Sequence, residues 1–159
     1  MSQSTKPEFP PLLAPGFHEV TASGLRQLCV TPFPSSLTRA TIMDGLESVL
    51  ARLTEVGLQG ELWADGSFLT EKLSPDDVDA LLCIKGDVYH DRTGPQHEVI
   101  SWVQGNLYDS LRCDTYVFVD GQEPSESEWW RAYWIRQFGW TRSDRMKGIA
   151  LMRLCGGTR

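Results

Sequence analysis

The segment Gly66-Ser67-Phe68-Leu69-Thr70-Glu71-Lys72-Leu73-Ser74-Pro75-Asp76-Asp77-Val78-Asp79 sets a Gly-Ser pair ahead of two carboxylates that alternate with an apolar residue. It follows the apolar run Leu62-Trp63-Ala64. On a strand, Asp77 and Asp79 point to the same face. Two carboxylates that close repel each other, and both stay ionised at low cost only with a cation between them. Oxygen-only ligands of this kind suit Mg²⁺ or Mn²⁺. A Gly-Ser turn upstream brings backbone N–H groups and a hydroxyl toward the phosphates of a metal-bound nucleotide.

A third acid extends the pattern. Asp114 lies in Cys113-Asp114-Thr115-Tyr116-Val117-Phe118-Val119, which reads as a buried strand bounded by Asp120-Gly121. Beside a strand at Val78–Ile84, Asp114 can face Asp77 and Asp79. Gly-Ser, a spacer of nine residues, Asp-x-Asp and a lone Asp on a later strand resemble the nucleotidyltransferase superfamily with its polymerase-beta-like palm. The nearest likeness is to the minimal nucleotidyltransferases of bacteria, and within them to a poorly characterised family. That family carries a motif like Trp63-Ala64-Asp65-Gly66-Ser67-Phe68 and a later Phe138-Gly139 with Lys147-Gly148-Ile149. The weaker likeness runs from Pro10 to Leu154. Taken singly, each piece has an ordinary reading: Asp-x-Asp is common, and Pro75-Asp76-Asp77 suits a plain turn capped by Asp76. The ordered set is more specific than its parts.

The resemblance implies a fold, a chemistry and a partner. The fold expected is α/β (α+β), a small mixed β-sheet with helices packed on it. The expected catalytic and metal-binding residues are Asp77, Asp79 and Asp114, holding Mg²⁺ or Mn²⁺ with a nucleoside triphosphate, ATP by preference. Asp114 is the base candidate for the acceptor hydroxyl. Gly66 and Ser67 bind phosphates, and Arg142, Arg145 or Lys147 neutralise the leaving pyrophosphate. There is no room for the fingers and thumb of a polymerase, nor for the helical domain of a cyclic-oligonucleotide synthase. Minimal nucleotidyltransferases like this one often act as antitoxins that transfer AMP to a hydroxyl of a partner toxin, and that is the leading expectation. The alternative is a non-catalytic antitoxin or immunity protein that blocks its partner by contact. A nucleotidyltransferase acting on a small molecule ranks third.

Composition sets outer bounds. A chain of 159 residues with 41% hydrophobic content fits one compact domain. We expect an extended Pro-rich arm over residues 1–15 and a single domain over 16–159. No apolar run approaches a membrane helix, and the first residues lack a signal-like apolar region. Cys29, Cys83, Cys113 and Cys155 form no Cys-x-x-Cys pair, so reduced thiols in a cytoplasmic protein are expected, without zinc. The net charge of −6 argues against general nucleic-acid binding. Seven of the fifteen Lys and Arg residues nevertheless lie between Arg131 and Arg159, opposed in that span only by Asp144. They form either a solvated face with a basic tail or a phosphate-binding wall.

The remaining pattern supplies the elements. Thr21 caps a short helix ending at Cys29. A helix from Ser35 or Ser36 carries the stripe Ile42, Leu46, Val49, Leu50, Leu53 and Val56 and ends at Gly57. Strands are expected at Glu61–Ala64, Val78–Ile84, Cys113–Val119 and Lys147–Leu154. Helical turns are expected at Phe68–Leu73, a polar loop at Gly86–Pro95, and helices at Gln96–Leu111 and Glu123–Phe138. In the last helix Trp130, Trp134 and Phe138 share a face that covers the sheet. The aromatic density around them, or the arm at residues 7–15, suits contact with a partner protein. Arg92 and His97 match the Arg-x4-His pattern of HEPN ribonucleases. Gly94-Pro95 interrupts any helix between them, and the match is read as coincidence.

Overall fold

A computed structural model describes residues 6–155. Residues 1–5 of the arm and Arg159 lie outside them. The chain forms an α+β fold around one mixed five-stranded sheet. The strands are β1 (Gly16–Glu19), β2 (Gly60–Asp65), β3 (Val78–Lys85), β4 (Cys113–Asp120) and β5 (Gly148–Leu154). Their order across the sheet is β1-β5-β2-β3-β4. β2 runs antiparallel to β3 and to β5, while β3–β4 and β1–β5 are parallel. The parallel β3–β4 pair needs a long crossover. The helices α3 (Gly86–His90), α4 (Gly94–Gln104) and α5 (Tyr108–Leu111) supply it.

The two faces of the sheet differ. Alternation sends Leu62, Ala64, Val78, Ala80, Leu82, Ala150 and Met152 to one side. There α1 (Ala22–Cys29), α2 (Arg39–Glu55) and α4 bury Leu25, Ile42, Leu46, Val49, Leu53, Val99 and Val103 against them. The other side carries Trp63, Leu81, Phe118, Ile149 and Leu151, covered by Phe138 of α6 (Pro124–Gly139). Asp65, Asp79 and Asp114 have the same parity as this second set. They therefore emerge on the α6 face, at one end of the sheet.

Several local expectations hold. Thr21 Oγ1 accepts from Gly24 N–H at 3.0 Å and caps α1. Gly57, at φ +64°, follows the end of α2. Others shift for identifiable reasons. α2 starts at Arg39, because Ser36 Oγ accepts from the N–H groups of Thr38 and Arg39 and closes a turn instead. Between Phe68 and Leu73 only the short 3₁₀ turn Ser67–Leu69 forms. The expected loop at 86–95 holds α3, and Thr93 makes a capping box with Gln96 that starts α4 at Gly94. Pro95 is thus a helix starter there rather than a breaker. The expected helix Gln96–Leu111 breaks at Gly105, where Asn106 takes a positive φ of 60°. α6 is covered only at its C-terminal end: Phe138 is buried, Trp134 half-buried and Trp130 40% exposed.

The described part of the arm lies on the body of the chain. Leu12 N–H donates to Leu69 C=O, and Glu71 N–H to Pro10 C=O. Gly148 N–H donates to Leu13 C=O. Glu8 accepts from Ser143 N–H and hydroxyl at 2.9 and 2.6 Å. All four cysteines are free thiols, and no helix among the described residues is long and apolar enough to cross a membrane.

Candidate active site

The carboxylates are assembled by strand register. In the parallel β3–β4 ladder Asp79 pairs with Asp114, and in the antiparallel β2–β3 ladder Asp65 pairs with Asp79. Three acids therefore form a row across three strands, on one face. Asp77 stands just before β3 with the parity of Asp79. Oxygen atoms of Asp77, Asp79 and Asp114 lie within 4.8 Å of one another. Three hard, anionic oxygen donors at that spacing fit Mg²⁺ or Mn²⁺ and do not fit a thiophilic ion.

The electrostatics follow from crowding. Burial, then the charges of Asp77 and Asp114, push Asp79 up to about 7. Burial and Asp114 also raise Asp77. Asp114 is oriented through both oxygens. Asn106 Nδ2 donates to Oδ1 at 2.6 Å, and the Tyr116 hydroxyl donates to Oδ2 at 2.9 Å. Burial and this carboxylate hold the Tyr116 phenol up at about 12. Neither Asn106 nor Tyr116 stood out in the sequence. Tyr116 shares the strand parity of Asp114, but Asn106 reaches it only because the α4–α5 helix breaks there.

Gly66 and Ser67 form the turn beside this row. Gly66 sits at φ +87°, and a Cβ added there would lie 2.7 Å from Asp79 Oδ2. Both the backbone conformation and the close approach require glycine. Gly66→Ala should lose roughly 1–3 kcal/mol through strain and swing the Asp79 carboxylate away from its neighbours. Thermal unfolding together with a Mn²⁺ titration checks this: both midpoint and affinity should fall. The Ser67 carbonyl accepts from Thr70 N–H and from the Thr70 hydroxyl, at 3.2 and 2.7 Å.

The basic candidates divide. Lys147 Nζ lies 3.2 Å from Asp65 Oδ1, with both side chains nearly closed to solvent. Its charge also reaches Asp79, whose carboxyl it pulls downward. Asp65 also accepts from Gly66 N–H, while its Oδ2 is buried without a partner. Burial pushes Asp65 up to about 7 against the pull of Lys147. Arg142 and Arg145 are exposed and lack an ion pair among the described residues. After Lys147, the charge of Arg142 pulls Asp79 downward, and that of Arg145 acts on Glu8. Arg131, Arg136 and Arg153 pair with Asp120, Asp144 and Glu19. Acids from elsewhere in the fold thus pair with Arg131, Lys147 and Arg153, and the span's own Asp144 with Arg136. Asp65 was legible only as a member of the motif Trp63-Ala64-Asp65-Gly66-Ser67-Phe68, with no role of its own.

Arg39 supports the site from beneath. It is fully buried yet has no carboxylate partner among the described residues. Its guanidinium donates instead to the carbonyls of Cys29, Phe68, Thr70, Lys72 and Leu73, at 2.5 to 3.3 Å. It also stacks 3.8 Å from the Phe33 ring centroid. The loop after the Gly66-Ser67 turn is wrapped around this one cation. Arg92 Nε donates to His97 Nδ1 at 3.0 Å, on the crossover between β3 and β4, with the imidazole exposed.

The chain belongs to the family described as "Family of unknown function (DUF6932)", which matches residues 7–153. No curated protein and no solved structure matches it.

Proposed function

We propose that this chain is a metal-dependent minimal nucleotidyltransferase, with a polymerase-beta-like palm, that transfers AMP from ATP to a hydroxyl of a partner protein in the manner of an antitoxin. The observation that carries the reading is the convergence of Asp77, Asp79 and Asp114 within 4.8 Å, beside a glycine turn in contact with Asp79.

Asp77, Asp79 and Asp114 would hold Mg²⁺. Bound there, the ion would neutralise charge on the phosphates and acidify the attacking hydroxyl. The rest is work for the chain's own groups. Asn106 and Tyr116 keep the Asp114 carboxylate aimed at the position of the acceptor hydroxyl, where it can take the proton. Gly66 lets the backbone approach Asp79 without a side chain in the way. Arg142, exposed and within electrostatic range of Asp79, supplies positive charge for the departing pyrophosphate. Lys147 and Asp65 tie the end of β2 to the start of β5 and so brace the turn.

The test is incubation with Mg²⁺, ATP labelled at the α-phosphate, and the protein encoded beside this one. Label on that protein, with release of pyrophosphate, supports the reading. Protection against that protein without any label would replace it by inhibition through binding. Tyr116→Phe gives a finer check. Loss of one bond to Asp114 should lower Mn²⁺ affinity about 10-fold or more, with little change in unfolding temperature.

A further inference from the structure

We propose that the free edge of β4, with the groove between it and α6, docks an extended, basic segment of a partner protein. β4 is the outermost strand and pairs with β3 along one side, from Cys113 to Asp120. On its other side the described residues offer one bridge, Leu107 to Cys113. From Tyr116 to Val119 the edge has no strand partner among the described residues. Natural edge strands are blunted by proline, charge, bulges or brevity. Tyr116-Val117-Phe118-Val119 has none of these, and its register with β3 runs without interruption. Such an edge is a template for an added strand.

The groove beside it states what that strand should carry. It encloses about 330 Å³ and is lined by Val117 and Val119 of β4 and by Glu123, Glu126, Trp130 and Trp134. Glu123 and Glu126 are exposed and have no ion pair among the described residues. Arg131, the nearby cation of α6, is committed to Asp120. Two indole rings with two unpaired carboxylates select a Lys or Arg side chain, through ring faces and charge together. The net charge of −6 steers the same partner in. The same carboxylates repel a phosphate backbone, so the occupant is polypeptide rather than nucleic acid. Main-chain bonds along β4 supply affinity, and the groove supplies the choice of side chain.

Binding at this edge does not depend on catalysis. One extension does rest on the proposed activity. Val119 is five residues from Asp114, roughly 16 Å of strand at about 3.3 Å per residue. A segment anchored in the groove and running back along the edge would bring a hydroxyl to the carboxylates about five residues from its basic anchor.

The experiment is selection of peptides from a displayed random twelve-residue library on the full chain, without metal or nucleotide. Synthetic copies are then titrated by fluorescence anisotropy. We expect sequences with Lys or Arg among β-branched residues. Their binding should weaken at least tenfold in Glu126→Lys with Trp130→Ala, and by a similar factor when alternate peptide nitrogens are methylated. Circular dichroism and unfolding temperature establish that the variant is folded. If it is not, Glu126→Lys alone, at an exposed position, gives the same comparison. Asp77→Asn with Asp79→Asn should bind the peptides unchanged, which separates this site from the proposed activity. No convergent sequence, convergence on acidic peptides, or binding indifferent to both changes would overturn the proposal. So would a dimer of this chain that Val119→Lys dissociates, since the edge would then belong to a second copy.

Discussion

Asp77→Asn combined with Asp79→Asn should abolish nucleotidyl transfer and, at the same time, raise the stability of the metal-free chain. The two effects have one cause. Asp79 is held up at about 7 by burial and by its acidic neighbours. Its folded-state value lies above the ordinary carboxylate value, so the folded chain binds the proton more tightly than the unfolded chain does. Its contribution to stability is therefore fully present below about pH 4, is lost as pH rises through 7, and changes no further above that. Above pH 7 the ionised group costs the fold of order 2–4 kcal/mol, at about 1.4 kcal/mol per pH unit, discounted for partial exposure. An amide removes that cost. Differential scanning calorimetry at pH 8 should show the double variant melting several degrees higher than the parent. The gain should vanish near pH 4, where the parent's carboxyl is protonated. Millimolar Mg²⁺ should raise the parent's melting temperature at pH 8 and leave the variant's unchanged. On the proposed reading transfer should fall by orders of magnitude, because the carboxylates would hold the ion that neutralises the phosphates. A double variant less stable than the parent at pH 8 would mean that the acids serve the fold and not a cation.

Arg39→Met should have the largest effect on stability, a loss of roughly 3–5 kcal/mol. Methionine fills much of the volume but leaves the carbonyls of Cys29, Phe68, Thr70, Lys72 and Leu73 without their donor. Arg39→Lys should recover only part of the loss. An ammonium is a compact point with three donors, whereas the guanidinium presents five donors in a plane. The damage should be local before it is global. Amide hydrogen exchange should accelerate first at residues 68–73, which lose their central cation, and at Leu12 in the arm, whose N–H donates to Leu69 C=O. Chemical denaturation measures the total, and exchange locates it. Uniform acceleration across all strands would show instead that Arg39 merely fills the core.

The acids illustrate how far a linear reading reaches. Asp-x-Asp alternation fixes a shared face for Asp77 and Asp79, because side chains alternate along a strand regardless of what surrounds them. The placement of Asp114 opposite Asp79 needed one further assumption, that the Val78–Ile84 and Cys113–Val119 segments lie side by side. The ladder between β3 and β4 has that register. Asp65 shows the limit. Its role as the partner of Lys147 depends on β5 entering the sheet between β1 and β2, and no local pattern specifies that insertion. The same insertion brings Lys147, expected to meet phosphate, within ion-pair reach of Asp65. In the aromatic helix, helical spacing aligned Trp130, Trp134 and Phe138, but only Phe138 is buried on the sheet, with Trp134 packed at its margin and Trp130 exposed.

Local physics settled the types of α1, α2, α6 and strands β2 to β5, the cap at Thr21, the carboxylate alternation and the need for a turn at Gly66. Each of these is decided by backbone sterics and by neighbours within a few residues. Only the tertiary structure decided the order of the strands, the burial of Arg39 within a ring of carbonyls, the pairing of Lys147 with Asp65, and the open edge of β4. Those are contacts between distant segments, and their energies come from desolvation and from bonds that exist only once the chain has closed on itself.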